Sequence, residues 1–467
     1  MKLKQFLFSA ALLASMNAIG QSVPTHEMYV DFGITERTDI VSALDKWQPG
    51  DNFSNDPDYQ DENFFISRVP LKSRFINQNT QANKNLNEEN NKNLCWCSPI
   101  GEMTKKWGPM PRYNFDGDNF NMWQYINIHA NWSNTWFRVP GTFNDVAHKN
   151  GVRTGCLYFI DWAEQVSATS SAGKMLAELC AKDGSGNFKY ARKLIQFLKY
   201  YGIDGLGLNP EGYWSTQLNE DFSSFLAECH KVAKEMNHPF HVEWYAFVSN
   251  TGGLNDNGCK LEIGANDKWF HKNGNPVTDV FFLNYNWSES GLQTSAEAAK
   301  SLGRSTYDVY AGFDQQGRGY GKYGNAGWTA LMRQPVSIVV WGAHDRSQLY
   351  AGSTEGGNSD LSVQNEYQKK QELLFTGGSR NVLRTPDITD DAITSSYSDL
   401  AKWHGYSKAV IEESALTELP FVTRFNLGNG LSFSKDGVVT FEHKWYNLGL
   451  QDLLPTWRWW IDNGDGT

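Results

Sequence analysis

The chain has 467 residues, a formal net charge of −10 and an aromatic content of 14%, which includes 18 tryptophans. This length exceeds what one hydrophobic core usually serves, so we expect one large domain and one smaller domain. The acidic, unclustered charge argues against a nucleic-acid partner. The aromatic residues fit either a large aromatic core or rings that stack on the apolar faces of sugars.

The first residues, MKLKQFLFSAALLASMNAIGQS, predict a secretory signal peptide at 1–20. Lys2 and Lys4 form a basic start, an apolar stretch follows at 6–17, and Ala18-Ile19-Gly20 provides small residues for cleavage. The apolar stretch is too short to cross a bilayer, and no later segment is long and apolar enough to do so. We therefore expect a secreted or periplasmic protein without a membrane span.

Residues 21–90 are polar and rich in asparagine, which predicts an N-terminal extension and an exposed loop. The chain has six cysteines at irregular spacings, and Cys95 and Cys97 are too close to pair easily within one strand. We expect buried free thiols, which behave as small hydrophobic side chains. Because no C-x-x-C spacing occurs, the sequence predicts no metal site, and it indicates no cofactor.

From about residue 91 to 380, short apolar runs alternate with amphipathic helical patterns. Strands are predicted at 151–162, 203–209, 240–247, 277–287, 306–314 and 335–342. Helices are predicted at 174–183, 188–201, 220–236, 291–302 and 362–375. Repeated strand and helix units imply parallel strands joined by right-handed crossovers. We predict an α/β fold, a (β/α)8 catalytic barrel, with an open doubly wound sheet as the alternative.

The pattern of apolar and polar residues changes after about residue 385. Residues 386–467 alternate apolar and polar side chains between glycine and Asn-Gly turn signals. This pattern predicts antiparallel strands. We expect the start of a β-sandwich domain that is truncated at Thr467.

The segment IDGLGLNPE places Asn209 and Glu211 at the carboxyl end of a predicted barrel strand, where such barrels carry their chemistry. Chitinase-like enzymes have a D-x-x-D-x-D-x-E row at these offsets. This chain keeps Asp204 and Glu211, but has Gly207 and Asn209 at the two middle positions.

An amide and one carboxylate suit a substrate that supplies its own nucleophile. A 2-acetamido sugar can attack its anomeric carbon through its acetamide oxygen. The carbonyl oxygen of Asn209 could accept the acetamide N–H, and Glu211 could act first as acid and then as base. A carboxylate after a strand is also common at the N-terminus of the following helix, so the spacing alone leaves both interpretations open.

Six ordered blocks carry a resemblance that covers roughly residues 120–460. They are VPGTFNDVAHKNGVRTGCLYFIDW, YGIDGLGLNPE, VEWYAF, DVFFLNYNW, DVYAGFDQQGRG, and FVTRFNLGNG with the following WYNLGLQDLLPTWRW. Together they resemble the endo-β-N-acetylglucosaminidases of glycoside hydrolase family 85, which cut the chitobiose core of N-glycans. The resemblance implies a (β/α)8 barrel followed by a β-sandwich, retaining hydrolysis with acetamide participation, transglycosylation to some acceptors, and N-linked glycans or glycoproteins as substrates.

The resemblance also implies roles for individual residues. Asn209 would orient the acetamide, Glu211 would be the acid and base, and Tyr245 would assist beside them. The candidates for sugar contacts are Trp162, Trp244, Asn284, Tyr285, Trp287 and Asp314. For Trp244, Tyr285 and Trp287, which would be walls of sugar subsites, a position in the core stays open as the alternative. Arg318 would pair with a carboxylate in the barrel loops.

The chain departs from the family pattern at Ala246, where the motif W-Y-D-S has aspartate, and in TGGLNDNG and LCWCSPIGEM. These departures leave the glycan type and transglycosylation open. Two other functions stay open at this point. One is a chitinase-like or exo-acting hexosaminidase, and the other is an inactive carbohydrate-binding protein.

Overall fold

Eight parallel strands close into a barrel in the computed structural model of the chain. The structure describes residues 40–50, 65–98, 119–132, 139–315, 327–342, 361–378, 382 and 403–454. The barrel strands are β1 (Leu94–Cys97), β2 (Ile128–Asn131), β3 (Arg153–Ile160), β4 (Gly205–Pro210), β5 (His241–Tyr245), β6 (Val280–Phe282), β7 (Val309–Asp314) and β8 (Ser337–Trp341). Neighbours in the chain are neighbours in the sheet, and β1 pairs with both β8 and β2. This closure confirms the predicted barrel and excludes the open doubly wound sheet.

Helices surround the barrel and mostly follow the predicted order. They are α1 (Ile40–Lys46), α2 (Gly141–Lys149), α3 (Ser171–Leu179), α4 (Ala191–Tyr201), α5 (Thr216–Glu235), α6 (Glu289–Ser301), α7 (Gly327–Arg333) and α8 (Leu361–Thr376). Short 3-10 turns occur at Trp123–Tyr125, Asp267–Trp269, Thr306–Asp308, Tyr406–Lys408 and Leu448–Leu450. Helices α3 and α5 begin earlier than predicted, because the hydroxyls of Ser170 and Ser215 accept backbone N–H groups of their first turns.

The connection from β5 to β6 departs from the repeating pattern. Its described secondary structure includes the 3-10 turn Asp267–Trp269 and a short antiparallel pair, His271–Lys272 with Asn275–Pro276. A second accessory pair, Gln165–Val166 with Tyr213–Trp214, joins the loops that follow β3 and β4. This second pair lies beside the predicted Asn-x-Glu motif.

The barrel strands have two different faces. In β4, Leu206 and Leu208 belong to the hydrophobic layer between strands and helices, where they are 0% and 1% exposed. Gly205, Gly207 and Asn209 alternate with them and therefore face the barrel interior. A separate interior cluster contains side chains from other strands, including Leu157, Tyr245, Phe282, Tyr310 and Val339.

Segments outside the barrel pack against its helical layer. Helix α1, within the predicted N-terminal extension, is followed by Trp47, whose ring contacts Phe197 of α4 with centroids 5.2 Å apart. The C-terminal region forms two antiparallel pairs, Asn429–Gly430 with Trp445–Tyr446 and Phe433–Lys435 with Val438–Phe441. These pairs agree with the antiparallel strands predicted for this region. The indole N–H of Trp123 donates to Gln451 at 2.8 Å and ties this region to the barrel.

All six cysteines are buried and free, as expected. Within the described ranges, no helix combines the length and the apolar character that a bilayer crossing requires. The predicted signal peptide and Arg318 lie outside the described residues.

Candidate active site

Asn209 and Glu211 stand together at the carboxyl end of β4. The side-chain N–H of Asn209 donates to Oε2 of Glu211 across 3.2 Å. Because this bond uses an amide hydrogen, the carbonyl oxygen of Asn209 stays suited to accept an N–H from a substrate. The structure therefore brings together an oriented amide and a carboxyl group, as the spacing predicted.

The loop that carries Glu211 is fixed by backbone contacts to the loop after β3. The Glu211 N–H donates to Ile160 at 3.3 Å, and the Glu211 carbonyl accepts from the Ala163 N–H at 3.0 Å. Gly212 makes this approach possible, since a Cβ there would lie 2.6 Å from the carbonyl oxygen of Glu164. The carboxyl group is thus held on a rigid support rather than on a free loop.

Burial governs the electrostatics of Glu211. Desolvation raises the pKa of its carboxyl group above the ordinary value, while the hydrogen bond from Asn209 lowers it and the charge of Asp161 raises it again. The net pKa is raised. A raised pKa favours the protonated form of the carboxyl group, which is the form that a general acid requires.

An aromatic row lines the mouth beside this pair. Tyr245 ends β5 and stacks in parallel on Phe247, with centroids 5.7 Å apart and an interplanar angle of 4°. Phe247 in turn contacts Trp162 at 5.3 Å, and Trp162 is 63% exposed. Tyr285 lies 6.1 Å from Tyr245 on the other side. Flat rings in this arrangement suit contact with the apolar faces of sugars.

Several acidic groups converge on Tyr245. Burial raises the pKa of its hydroxyl, and the charges of Glu211, Asp256 and Asp314 raise it further. The phenol therefore keeps its proton and can donate a hydrogen bond. Asp314 is the last residue of β7, so the structure places it at the same end of the barrel as Glu211.

Asn284 follows β6 and is 8% exposed, and its polar atoms have partners within the protein. Its side-chain oxygen accepts from the Tyr285 N–H at 2.6 Å, and its side-chain nitrogen lies 3.4 Å from Asp256. Burial raises the pKa of Tyr285, as do the charges of Tyr245 and Asp314. The predicted sugar contacts of Asn284, Tyr285 and Asp314 thus concern residues that lie together at the mouth.

Trp244 and Trp287 lie away from the mouth of the barrel. Both are 0% exposed and belong to the layer between barrel and helices. Trp244 stacks on Trp269 with centroids 3.9 Å apart, and the indole N–H of Trp287 donates to Gly312 at 2.9 Å. Adjacent strand residues point to opposite faces, so Trp244 must face away when Tyr245 faces the interior. This burial contradicts the prediction that the two tryptophans are walls of sugar subsites.

Sequence reasoning missed several aromatic residues at the mouth. Trp132 follows β2 and packs in the interior cluster, 6.1 Å from Trp341 at the end of β8. Phe247 links Trp162 to Tyr245, and Asp256 approaches Asn284. The strand-end position of Trp341 was a usable signal, because its strand was predicted. Trp132 gave no such signal, because β2 was not recognised in the sequence.

A family model, described as glycosyl hydrolase family 85, matches residues 104–433. This match covers well over half of the chain and includes every candidate site residue. The chain belongs to glycosyl hydrolase family 85.

Curated relatives and a solved structure are similar to the chain. A cytosolic endo-beta-N-acetylglucosaminidase of Gallus gallus is 23% identical over 96% of this chain and 53% of its own length. Cytosolic endo-beta-N-acetylglucosaminidase 1 of Arabidopsis thaliana is 25% identical over 71% of this chain and 41% of its own length. The chain thus spans about half the length of these relatives.

The glycoside hydrolase domain of Endo-D from Streptococcus pneumoniae R6 has a similar fold, with a TM-score of 0.72 and 24% identity. The similarity covers 90% of this chain and 61% of that chain.

One departure of this family 85 chain from the family pattern has a structural explanation. Ala246 is 2% exposed and belongs to the outer hydrophobic layer, on the face opposite to Tyr245. Its N–H donates to the carbonyl oxygen of Phe282 at 2.8 Å. The departure therefore alters packing behind the strand, while Asn209, Glu211 and Tyr245 remain at the mouth.

Proposed function

We propose that the chain is an endo-β-N-acetylglucosaminidase that hydrolyses the chitobiose core of N-glycans and leaves one N-acetylglucosamine on the protein. The observation that carries the proposal is the 3.2 Å contact between the Asn209 amide and Glu211 at the mouth of the barrel. Membership of glycosyl hydrolase family 85 and the activity named for the relatives support the same reaction class.

The reaction proceeds in two steps with acetamide participation. In the first step, Glu211 gives its proton to the glycosidic oxygen, while the acetamide oxygen of the substrate attacks the anomeric carbon. The bond to the leaving N-acetylglucosamine breaks, and a cyclic oxazolinium forms. Asn209 accepts a hydrogen bond from the acetamide N–H, which orients the oxygen and stabilises the developing positive charge.

In the second step, the Glu211 carboxylate takes a proton from water as the water oxygen attacks the anomeric carbon. The ring opens, the acetamide is restored, and the configuration at the anomeric carbon is retained. Burial raises the pKa of Glu211, which favours the acid form needed at the start, and the Asn209 bond favours the base form needed afterwards. The aromatic row beside the pair, with Trp162 exposed at its end, supports binding of an extended oligosaccharide.

The test is mass spectrometry of a denatured high-mannose glycoprotein, followed by a complex-type one, after incubation with three proteins. These are the wild type, Glu211→Gln, and Glu235→Gln as a matched control. Glu235 ends α5 and has a half-exposed side chain paired with Arg192. We expect one N-acetylglucosamine on asparagine with the wild type and the control, and a rate lower by about 10² to 10⁴ for Glu211→Gln.

Other results would assign a different function. Release of single sugars from chain ends, with no internal cut, would identify an exo-acting hexosaminidase. Glycan binding by a folded wild type that cleaves neither glycoprotein would identify an inactive carbohydrate-binding protein.

Export is a separate part of the proposal. The relatives above are named cytosolic, whereas this chain begins with two lysines, an apolar stretch and a small-residue site. We propose that the signal peptide is cleaved after residue 20 and that the protein is exported from the cytosol. N-terminal sequencing of the protein recovered from its native cell fractions tests this, and an uncleaved protein in the cytosolic fraction would contradict it.

A further inference from the structure

A cluster of three metal-binding side chains lies inside the barrel, below the mouth. One ligand atom from each of Cys95, Cys97 and Glu243 lies within 4.8 Å of the others. The two thiols come from β1, and the carboxyl group comes from β5. These strands are four places apart in either direction around the eight-stranded barrel, so the cluster joins opposite walls.

The two cysteines converge because they lie on a strand. Residues two apart on an extended chain share one face, so both thiols point inward. Their sulfur atoms are 3.8 Å apart. Two sulfur atoms bound to one tetrahedral zinc ion at about 2.3 Å would be separated by about 3.8 Å. The expectation of no metal site rested on the lack of C-x-x-C, a spacing that suits turns rather than strands.

Glycines on β3 and β4 make room for the carboxyl group of Glu243. A Cβ at Gly155 would lie 3.0 Å from Oε1 of Glu243, and a Cβ at Gly207 would lie 3.3 Å from its Oε2. Gly207 occupies a position where the D-x-x-D-x-D-x-E row has aspartate. The interior carboxyl group at this level therefore comes from β5 instead of β4.

Among the described residues, one oxygen of this carboxyl group has no hydrogen-bond partner. Oε1 of Glu243 lies 2.9 Å from Nε2 of His241, whereas Oε2 has no partner among the described residues, although the side chain is 1% exposed. A buried carboxyl oxygen without a partner is costly. Cys95 and Cys97 are equally buried, at 0% and 1%. The cluster thus combines a thiol pair at metal-binding distance with an unsatisfied oxygen ligand.

We propose that Cys95, Cys97 and Glu243 bind a zinc ion that joins β1 to β5 beneath the active site. His241 orients the carboxylate from behind through its Nε2 contact, as a supporting residue rather than a ligand. Binding turns both thiols into thiolates, with their protons released to solvent. The charges of the occupied site sum to zero. The two thiolates and the carboxylate are negative, and they are balanced by the zinc ion together with the nearby Arg153 guanidinium, which interacts with Cys95 and Glu243. Mixed sulfur and oxygen ligands suit zinc.

The proposal gives the ion a structural role. Tyr245 lies two residues beyond Glu243 on the same face of β5, so fixing Glu243 also fixes the strand that presents Tyr245 to the mouth. All three ligand side chains are buried, and zinc therefore enters while the barrel folds.

The test measures zinc per protein by elemental analysis, both as isolated and after unfolding with chelator and refolding with zinc. We expect about one zinc per wild-type chain, and at least a tenfold lower content in Cys95→Ser and in Cys97→Ser. The matched control is Cys180→Ser/Cys229→Ser, which removes two buried thiols from helices or their ends. This control should keep its zinc.

Refolding with cobalt(II) gives a second readout, since thiolate ligands produce a charge-transfer absorption in the near ultraviolet. We expect it in the wild type and in the control, and a weakened form in Glu243→Gln, which keeps both thiols. If the serine variants fail to fold, the cobalt spectra alone decide. Absence of metal uptake by the wild type, equal loss in the control, or a disulfide between Cys95 and Cys97 would overturn the proposal.

Discussion

Replacing Gly205 by alanine is expected to strain the barrel wall beneath the active site. An added Cβ would lie 2.5 Å from Cε1, Nδ1 and the carbonyl oxygen of His241. The carbonyl oxygen belongs to the paired strand and cannot move without separating β4 from β5. Such overpacking typically costs about 1 to 3 kcal/mol. About 0.5 to 1 kcal/mol of this cost is offset, because alanine loses less backbone entropy on folding than glycine does. We expect a net loss of about 2 kcal/mol in the free energy of unfolding.

Two other glycines provide a graded comparison. At Gly207 the nearest atoms to an added Cβ are Trp132 Cζ3 at 3.0 Å and Glu243 Oε2 at 3.3 Å, both in side chains that can shift slightly. At Gly184 no atom of the part of the chain that the structure describes lies within 4 Å of an added Cβ. We expect losses of about 1 kcal/mol or less for Gly207→Ala and a change within about 0.5 kcal/mol for Gly184→Ala. Urea unfolding followed by tryptophan fluorescence measures all three. Equal stability of the three variants, or a reversed order, would refute this account of the interior.

Four further substitutions test the roles of site and core residues. Glu211 acts as an acid only while it is protonated, so kcat/KM of the wild type should fall as pH rises through the raised pKa of Glu211. Asp161→Asn removes a charge that raises this pKa, so the pH–rate profile of the variant should show the same fall at a lower pH. Tyr245→Phe keeps its packing on Phe282, so activity assays should show a loss of about tenfold with little change in Tm. Trp244→Ala should cost about 3 to 5 kcal/mol in denaturant unfolding. Trp162→Ala should raise KM, with stability unchanged within about 0.5 kcal/mol. A stable Trp244→Ala, or a Trp162→Ala with wild-type KM, would contradict the assigned positions.

The strands that sequence patterns located are those with long β-forming runs between clear helices. The run at 203–209 became β4, and placing Asn209 and Glu211 at its end required nothing beyond strand periodicity. Strands β1 and β2 were not recognised because each has only four residues, LCWC in β1 and IHAN in β2, all of them buried. Four residues are too few for hydrophobic periodicity to distinguish a strand from other segments.

The parts of the site that sequence could not locate depend on contacts across the barrel. The pattern WY identified Trp244 and Tyr245 as candidates, but only the pleat of β5 decides which of them faces the interior. The meeting of Cys95 and Cys97 with Glu243 depends on closure, because β1 and β5 are far apart in the chain and opposite in the barrel. Strand periodicity located Asn209 and Glu211, the family resemblance implied their roles, and only the packing shows which aromatic residues lie around them.

The most direct test of the central claim separates formation of the oxazoline from its breakdown. Wild type, Asn209→Ala and Glu211→Gln would each be given an intact glycoprotein and, separately, a preformed oxazoline of the released glycan. Asn209 is needed to orient the acetamide while the ring forms, so we predict that Asn209→Ala loses cleavage of the glycoprotein but still consumes the oxazoline. Glu211→Gln should be impaired in both reactions. Cleavage of the glycoprotein by Asn209→Ala at the wild-type rate, or equal loss of both reactions in that variant, would contradict acetamide participation guided by Asn209.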